Sequence, residues 1–391
     1  MQYRTDPKTG RSLSALGWGA MRAPKDPAQF TALLEQAVGA GVNFIDTAYA
    51  YSGNEVMLGQ ALKDTGLRDK VYIQTKCPIQ FVKSGTDFEK FFSRELERLQ
   101  TDRVEYYLLH MLTDAQTLQR FLSWGLDAWV QEKKAKGQIG SFGFSFHGRG
   151  ADFLAILDTY PFDSCLIQYN YADPNYQAGV TGLKAAAAKG MPVMIMEPLL
   201  GGRLVNSLPP EAGQILAAAG KTPADFGLRW LWNQPEVTVV LSGMGAPEQM
   251  TANFQTADTA AVGALAETDM ELYAAVRSVF AASNKIPCQG CGYCLPCPKG
   301  VNIPGCFAAY NTCYAISKKL GRHQYMTSTG SFSEKRGNAG QCAACHACEK
   351  KCPQMIPIAD KLKEVGKEME PWYWRIGMGA ARVFVRFGLH K

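Results

Sequence analysis

Short apolar runs alternate with amphipathic stretches over the first 260 residues. The runs lie near 13–19, 43–46, 71–76, 104–110, 139–145, 164–169, 192–197 and 237–242, and each is apolar on both faces, as parallel strands covered by helices are. Between them, segments such as AQFTALLEQAVGAG and DFEKFFSRELERLQ place apolar residues every three to four positions, the period of a helix packing one face. Eight such units predict an α/β chain that closes as a (β/α)8 TIM barrel, ending near residue 260. Ahead of the first strand, a turn at Lys8-Thr9-Gly10 predicts a hairpin able to plug one barrel end. A helix over about 266–283 leads out. The competing architecture is a doubly wound open sheet, disfavoured because no Gly-x-Gly-x-x-Gly follows the first strand.

Composition bounds what this barrel serves. With 391 residues, 47% of them hydrophobic, the chain can bury a large core and still hold a smaller domain. Charged residues make up 19% and the net charge is +6, too mild a basicity to imply nucleic acid. No early apolar run resembles a signal peptide and no segment has the length of a membrane span, so a cytoplasmic enzyme is expected. Ten of the twelve cysteines follow residue 287, most of them two or three residues apart, a spacing that suits metal better than disulfides.

The ends of barrel strands two, three and four carry candidate chemistry. GVNFIDTAYAY holds Asp46 and Tyr51, VYIQTK closes on Lys76, and VEYYLLH closes on His110. Carboxyl ends of parallel barrel strands feed one open face, where such enzymes assemble their sites. A phenol with a pKa of about 10 is a poor acid near neutrality. An adjacent ammonium favours its phenolate and makes it a better donor, and a carboxylate holds that ammonium in place. Tyr51, Lys76 and Asp46 fit those roles, with His110 orienting a carbonyl oxygen, which together describe protonation of an alkoxide as hydride reaches carbon. The bland alternatives are a helix-capping Asp46, a surface Tyr51, a surface-paired Lys76 and a satisfied core His110.

In barrels the phosphate site usually comes from the loops after strands seven and eight, here EPLLGGRL (197–204) and LSGMGAPEQMTANF (241–254). Gly201 and Gly202 permit close backbone approach, and Pro247 suits the first turn of a helix facing a pyrophosphate. The motifs DTAYAY, QTK and YLLH resemble the aldo-keto reductase family over roughly residues 1–260. That resemblance implies Tyr51 as proton donor, Lys76 and Asp46 as its tuning pair, and His110 as the substrate-orienting residue. It also implies NAD(P)H, held by Ala20, Met21, Asp46, Ser145, Gln168, Pro198, Leu199, Gly201, Ser242, Gly243, Met244, Gln249 and Asn253, with Arg203 as a further cation. Where relatives have Ser-Asn, this chain has Ser145-Phe146-His147. Gly243 and Gln249 stand where many NADP-preferring members carry Lys and Arg, which leans the reading to NADH.

After Asn284 the texture changes. Cys342-x2-Cys345-x2-Cys348-x3-Cys352-Pro matches the bacterial ferredoxin run, in which three thiolates bind one [4Fe-4S] cluster and the fourth reaches another. Cys288-x2-Cys291-x2-Cys294-x2-Cys297-Pro is the same run one residue short. The expected sets are Cys288, Cys291, Cys294 and Cys352 for one cluster, and Cys297, Cys342, Cys345 and Cys348 for the other. Cys306 or Cys313 can substitute for Cys297, and zinc is the alternative metal. The expected organisation is a barrel over 1–275, a small, mainly α-helical ferredoxin-like domain over 276–370, and a basic aromatic tail over 371–391. That tail carries Arg375, Arg382 and Arg386 on one stripe if helical, for packing or for a membrane surface. A subset of aldo-keto reductases looks like this. Expected partners are a small carbonyl or alcohol substrate and a redox protein served by the clusters. The alternative function is electron transfer, with the barrel as a nucleotide-binding or docking scaffold.

Overall fold

A computed structural model describes residues 1–148, 150–329 and 336–371. The basic aromatic stripe of the tail therefore lies outside the described residues. The chain divides into two compact units, Met1–Leu199 with Ala224–Glu267, and Leu200–Pro223 with Thr268–Lys391.

In the first unit, β1 (Tyr3–Thr5) and β2 (Ser12–Ser14) pair antiparallel as the expected hairpin. Asp6 holds its turn by accepting bonds from the backbone N–H of Lys8 at 2.8 Å and the Thr9 hydroxyl at 2.7 Å. Eight parallel strands follow: β3 (Leu16–Gly19), β4 (Phe44–Asp46), β5 (Tyr72–Cys77), β6 (Val104–Leu112), β7 (Ile139–Phe146), β8 (Ser164–Gln168), β9 (Val193–Met196) and β10 (Val237–Ser242). They close into a barrel in chain order, with β10 beside β3. The expected TIM barrel is the one observed.

The first apolar run, expected as a single strand over 13–19, is divided at Ala15 between the hairpin and the barrel. Ser14 turns its hydroxyl back to the Leu16 carbonyl at 2.7 Å and takes Asn43 Oδ1 on its N–H, which ends the hairpin ladder there. Leu13 still packs with the barrel interior, alongside Phe44, Tyr106, Leu108, Leu166, Met194, Val239 and Leu241. Tyr106 donates to Asp6 at 2.7 Å, so the hairpin does close that end.

The surrounding helices start where their caps dictate. Asp26 accepts from Gln29 N–H at the head of the Pro27–Gly39 helix, and Asp114 accepts from Thr117 N–H at the head of Ala115–Ser123. Pairing fixes which side chains share a level: Asp46 stands beside Gln74, and Lys76 beside Leu108. Counting by twos from interior Phe44 and Leu108 puts Asp46 and His110 on the inward side at the carboxyl ends.

The second unit is helical, with Ile303–Ala315, Lys318–Ser328 and Ile358–Met369 among its described helices. Its core gathers Ile286, Val301, Phe307, Tyr310, Leu362 and Val365, with Cys288, Cys297, Cys342 and Cys352 packed against it. Buried Glu370 accepts from the Tyr325 hydroxyl at 2.5 Å, Asn338 Nδ2 at 2.8 Å and Gly340 N–H at 2.9 Å, tying the approach to Cys342 to the end of the last described helix. No described helix is long and apolar enough to cross a membrane.

Candidate active site

Lys76 is 1% exposed, at the end of β5. Its ammonium donates to Asp46 Oδ1 at 2.5 Å, to the Thr47 carbonyl at 2.7 Å and to the Tyr51 hydroxyl at 3.4 Å. It also lies 4.9 Å from the centre of the Tyr51 ring. Asp46 takes a second donor, Gln74 Nε2, at 2.6 Å. Gln74 sits two positions before Lys76 and so shares its inward direction, an anchor that sequence reasoning did not single out. The Thr47 carbonyl was equally unannounced, because a backbone acceptor has no residue signature.

Burial pushes the Lys76 pKa down, and the Asp46 carboxylate opposes that shift by charge and by hydrogen bond. The ring of His110, 3% exposed, stands edge-on to Tyr51 with centroids 5.9 Å apart. Burial holds its pKa well below the usual 6.5, with the Lys76 charge and His147 adding to the effect, so the imidazole is neutral near neutral pH. The four predicted groups therefore meet: a phenol touched by an ammonium, a carboxylate fixing that ammonium, and a neutral imidazole beside the phenol. Such a set can deliver a proton to an oxygen placed between phenol and imidazole.

Behind them lies a second acidic group. Thr75 donates to Glu55 Oε1 at 2.7 Å, Arg98 pairs with Glu55 at 3.2 Å, and the Tyr107 hydroxyl donates to Glu95 Oε2 at 2.6 Å. Burial first, then the nearby Glu55 charge, holds the Glu95 carboxyl well above its usual range.

The expected cofactor residues fall into three placements. Ser145, at the end of β7, accepts the Met111 N–H on its hydroxyl at 2.8 Å, fixing the residue after His110; buried Gln168 ends β8. Around β10 the expected contacts organise one another. Asn253 donates to Ser242 Oγ at 3.0 Å, Gln249 Oε1 accepts Gly245 N–H at 3.0 Å, and Met244 is buried. Arg22, not anticipated, has its Cβ 3.9 Å from where a Cβ on Gly243 would stand. Ala20 is buried with its carbonyl bonded by Asn54 at 2.8 Å, whereas Met21 is exposed. Pro198 and Leu199 follow β9 within the first unit. Gly201 and Arg203 belong to the 200–223 segment, which groups with the second unit. Gly201 and Gly202 both have positive φ, the turn that only glycine adopts freely. Arg203, expected to offer a cation to the cofactor, donates instead to Asn284 Oδ1 at 2.6 Å and to the Cys288 carbonyl at 3.1 Å. Its neighbouring glycines gave no hint of that direction.

The cysteines sort into neighbourhoods. The Cys294 thiol is raised to about 12, by burial and then by the charges of Cys288, Cys291 and Cys352. Cys348 is raised by burial, with Glu349, Cys342 and Cys297 adding to it. Among the described residues, no group of three or more His, Cys, Asp and Glu side chains is gathered so as to hold a metal ion. Cys306 and Cys313 are buried, facing the Gly337 carbonyl and the Met369 sulfur.

Residues 14–267 match the model of the aldo/keto reductase family. The chain belongs to that family. Membership makes it an NAD(P)H-dependent oxidoreductase. Among curated relatives it is 28% identical over 283 residues to an L-galactose dehydrogenase of Arabidopsis thaliana, covering 65% of this chain and 87% of the relative. It is 31% identical over 221 residues to an aldo-keto reductase of Mycolicibacterium smegmatis, covering 56% and 73%. Among solved structures, the holo form of AKR11C1 from Bacillus halodurans superposes with a TM-score of 0.60 at 22% identity, over 71% of this chain and 96% of that one. An aldo-keto reductase of Klebsiella pneumoniae, solved in complex with NADPH, gives 0.59 at 24% identity over the same shares. At these identities the structural likeness speaks for the fold.

Proposed function

We propose that this aldo/keto reductase interconverts a small carbonyl compound and its alcohol, with Tyr51 as the acid that protonates the nascent alkoxide. The observation that carries the reading is the buried Lys76 ammonium held between Asp46 and the Tyr51 hydroxyl. The nicotinamide, when bound, supplies the hydride. Lys76 makes the phenol acidic enough to give up its proton, and Asp46 and Gln74 hold Lys76 in place. Neutral His110 offers an N–H to the substrate oxygen without competing as a charged acid. Ser145 and Gln168 suit the nicotinamide amide, and the Ser242–Asn253 loop suits the adenosine end. The pairings within that loop are ones a nucleotide would exchange for its own.

NADP(H) finds support in the NADPH complex of the Klebsiella relative, and the Cβ of Arg22, a cation that the lean to NADH left out, lies close to Gly243. Titrating both reduced nicotinamides against a carbonyl panel tests the reading. Turnover of a carbonyl with either one supports it, and binding of nucleotide with no carbonyl reduced in either direction overturns it in favour of the scaffold alternative.

For the second unit the reading is two [4Fe-4S] clusters, on Cys288, Cys291, Cys294 and Cys352 and on Cys297, Cys342, Cys345 and Cys348, serving electron relay or the docking of a redox protein. The ferredoxin-type spacing supports it, and so does the way Cys294 feels Cys352 across the sequence while Cys348 feels Cys297. Eight thiols in two sets suit iron and sulfide, and six of them, Cys291 and Cys345 excepted, lie in or against an apolar core, which suits a shielded cluster. Among the described residues the placement does not close round a single ion, so no step is derived through these groups. Anaerobic purification should return about eight irons and eight acid-labile sulfides per chain. One zinc and no sulfide would overturn the assignment.

A further inference from the structure

Arg203, expected beside the cofactor, faces the start of the first cysteine run instead. Gly201 and Gly202, with φ of 66° and 89°, swing the chain into a short helix that begins at this residue, Arg203–Asn206. One guanidinium nitrogen donates to Asn284 Oδ1 at 2.6 Å and another to the Cys288 carbonyl at 3.1 Å, while the carbon between them lies 5.7 Å from the centre of the Phe280 ring. All of these residues belong to the second unit.

The receiving side is held from two helices. Phe280, 3% exposed, stands near the end of Glu267–Ser283, and the Asn284 N–H donates back to its carbonyl at 2.9 Å. Asn311, on the Ile303–Ala315 helix, takes the Ile286 N–H on Oδ1 at 2.9 Å and donates Nδ2 to the Ile286 carbonyl at 2.6 Å. The Cys288 N–H bonds to that same carbonyl at 2.8 Å. The guanidinium and the first cysteine of the run are thus fixed against each other.

Both acceptors of Arg203 are neutral, and among the described residues no carboxylate pairs with it. Burial lowers its pKa, and the charge of the Cys288 thiolate opposes that fall. A largely buried cation without a counter-ion is costly, and a clamp made of two neutral hydrogen bonds has no need of one. An anionic centre at Cys288 answers the charge. Four thiolates outweigh the charge of a [4Fe-4S] core, and the net negative charge grows by one on reduction, so a fixed cation beside one ligand favours the reduced form. Cys288 belongs to one of the two sets, so the effect falls on one cluster.

Resting on the two-cluster assignment above, we propose that the charge of Arg203 raises the reduction potential of the cluster on Cys288, Cys291, Cys294 and Cys352, and so favours electrons settling there.

The test uses the full chain, purified anaerobically with iron and sulfide counted, and titrated with dithionite and mediators under electron paramagnetic resonance. Wild type, Arg203→Gln and Arg203→Lys are compared. The Gln variant removes the charge; the Lys variant keeps it and loses the two-pronged bond. Arg203→Gln should make one of the two reduction steps less favourable by about tenfold or more, about 59 mV for one electron, and leave the other in place. Arg203→Lys should stay within about threefold of wild type. Circular dichroism verifies folding, and if Arg203→Gln does not retain its iron, the Lys variant alone decides, since a clamp predicts that it shifts and a charge predicts that it does not. The proposal is overturned if Arg203→Gln titrates as wild type, if the Gln and Lys variants shift equally, or if both steps move together. Wild type that holds zinc, or no iron and sulfide, marks failure of the parent reading, and the proposal falls with it.

Discussion

Replacing Lys76 by Met removes the ammonium on which both the phenol and the carboxylate depend. At 2.5 Å, and with an effective dielectric of about 20, the Lys76–Asp46 attraction is on the order of 6–7 kcal/mol. Burying the two ions costs several kcal/mol each, so the intact pair is close to neutral for stability. Breaking it is not neutral, because Asp46, 4% exposed, would keep its charge with only Gln74 to answer it. Lys76→Met should therefore cost about 3–5 kcal/mol. Asp46→Asn should cost a similar amount, while the double variant should cost much less than the two together, with a coupling of several kcal/mol. Urea unfolding of the four proteins, followed by circular dichroism, measures all three quantities. Strictly additive losses would refute the claim that these groups form one buried unit. In the same proteins carbonyl turnover should fall by about 100-fold or more, since an unassisted phenol is a weak acid at neutral pH.

Two further outcomes follow from the core around this site. Glu95 keeps its proton in the fold at pH values where an unfolded glutamate, with its usual pKa of 4.5, has lost it. Stability should therefore fall as pH rises above about 4.5, and Glu95→Gln, neutral in both states, should lack that slope and gain on wild type towards pH 8 in thermal melts; parallel curves would contradict it. Gly143 in β7 has no room for a side chain, because a Cβ there would overlap the Ser164 carbonyl and Leu108. Gly143→Ala should cost about 1–3 kcal/mol in urea unfolding, and more if the strand cannot shift.

The barrel was legible because its strands are apolar on both faces and its helices on one, so the period switches at every boundary. The hairpin's break at Ala15 was not, since the apolar run is continuous there and the interruption comes from Ser14 and Asn43 bonding to backbone. Of the site, Asp46, Tyr51, Lys76 and His110 were visible as proton-handling residues at successive strand ends, and the structure brings them together. Gln74 and the Thr47 carbonyl were hidden for opposite reasons. One is a common strand residue that becomes an anchor only through its pairing with Asp46, and the other has no side-chain mark. Arg203 shows a third limit. A cation next to two glycines reads as a phosphate contact, but a long flexible side chain is directed by neighbours that sequence spacing does not reveal, here Asn284 and the Cys288 carbonyl. The loop at Gly243 likewise hid Arg22, which folding delivers from the end of β3.

Carbonyl reduction at this site requires the Tyr51 hydroxyl as proton donor, and the substitution Tyr51→Phe removes that one atom while leaving Lys76, Asp46 and His110 in place. Turnover of a reducible carbonyl should drop by about 100-fold or more, with the reduced nicotinamide still bound, as titrated by its fluorescence. A Tyr51→Phe variant that reduces the same carbonyl within a few-fold of wild type would show that the proton comes from elsewhere.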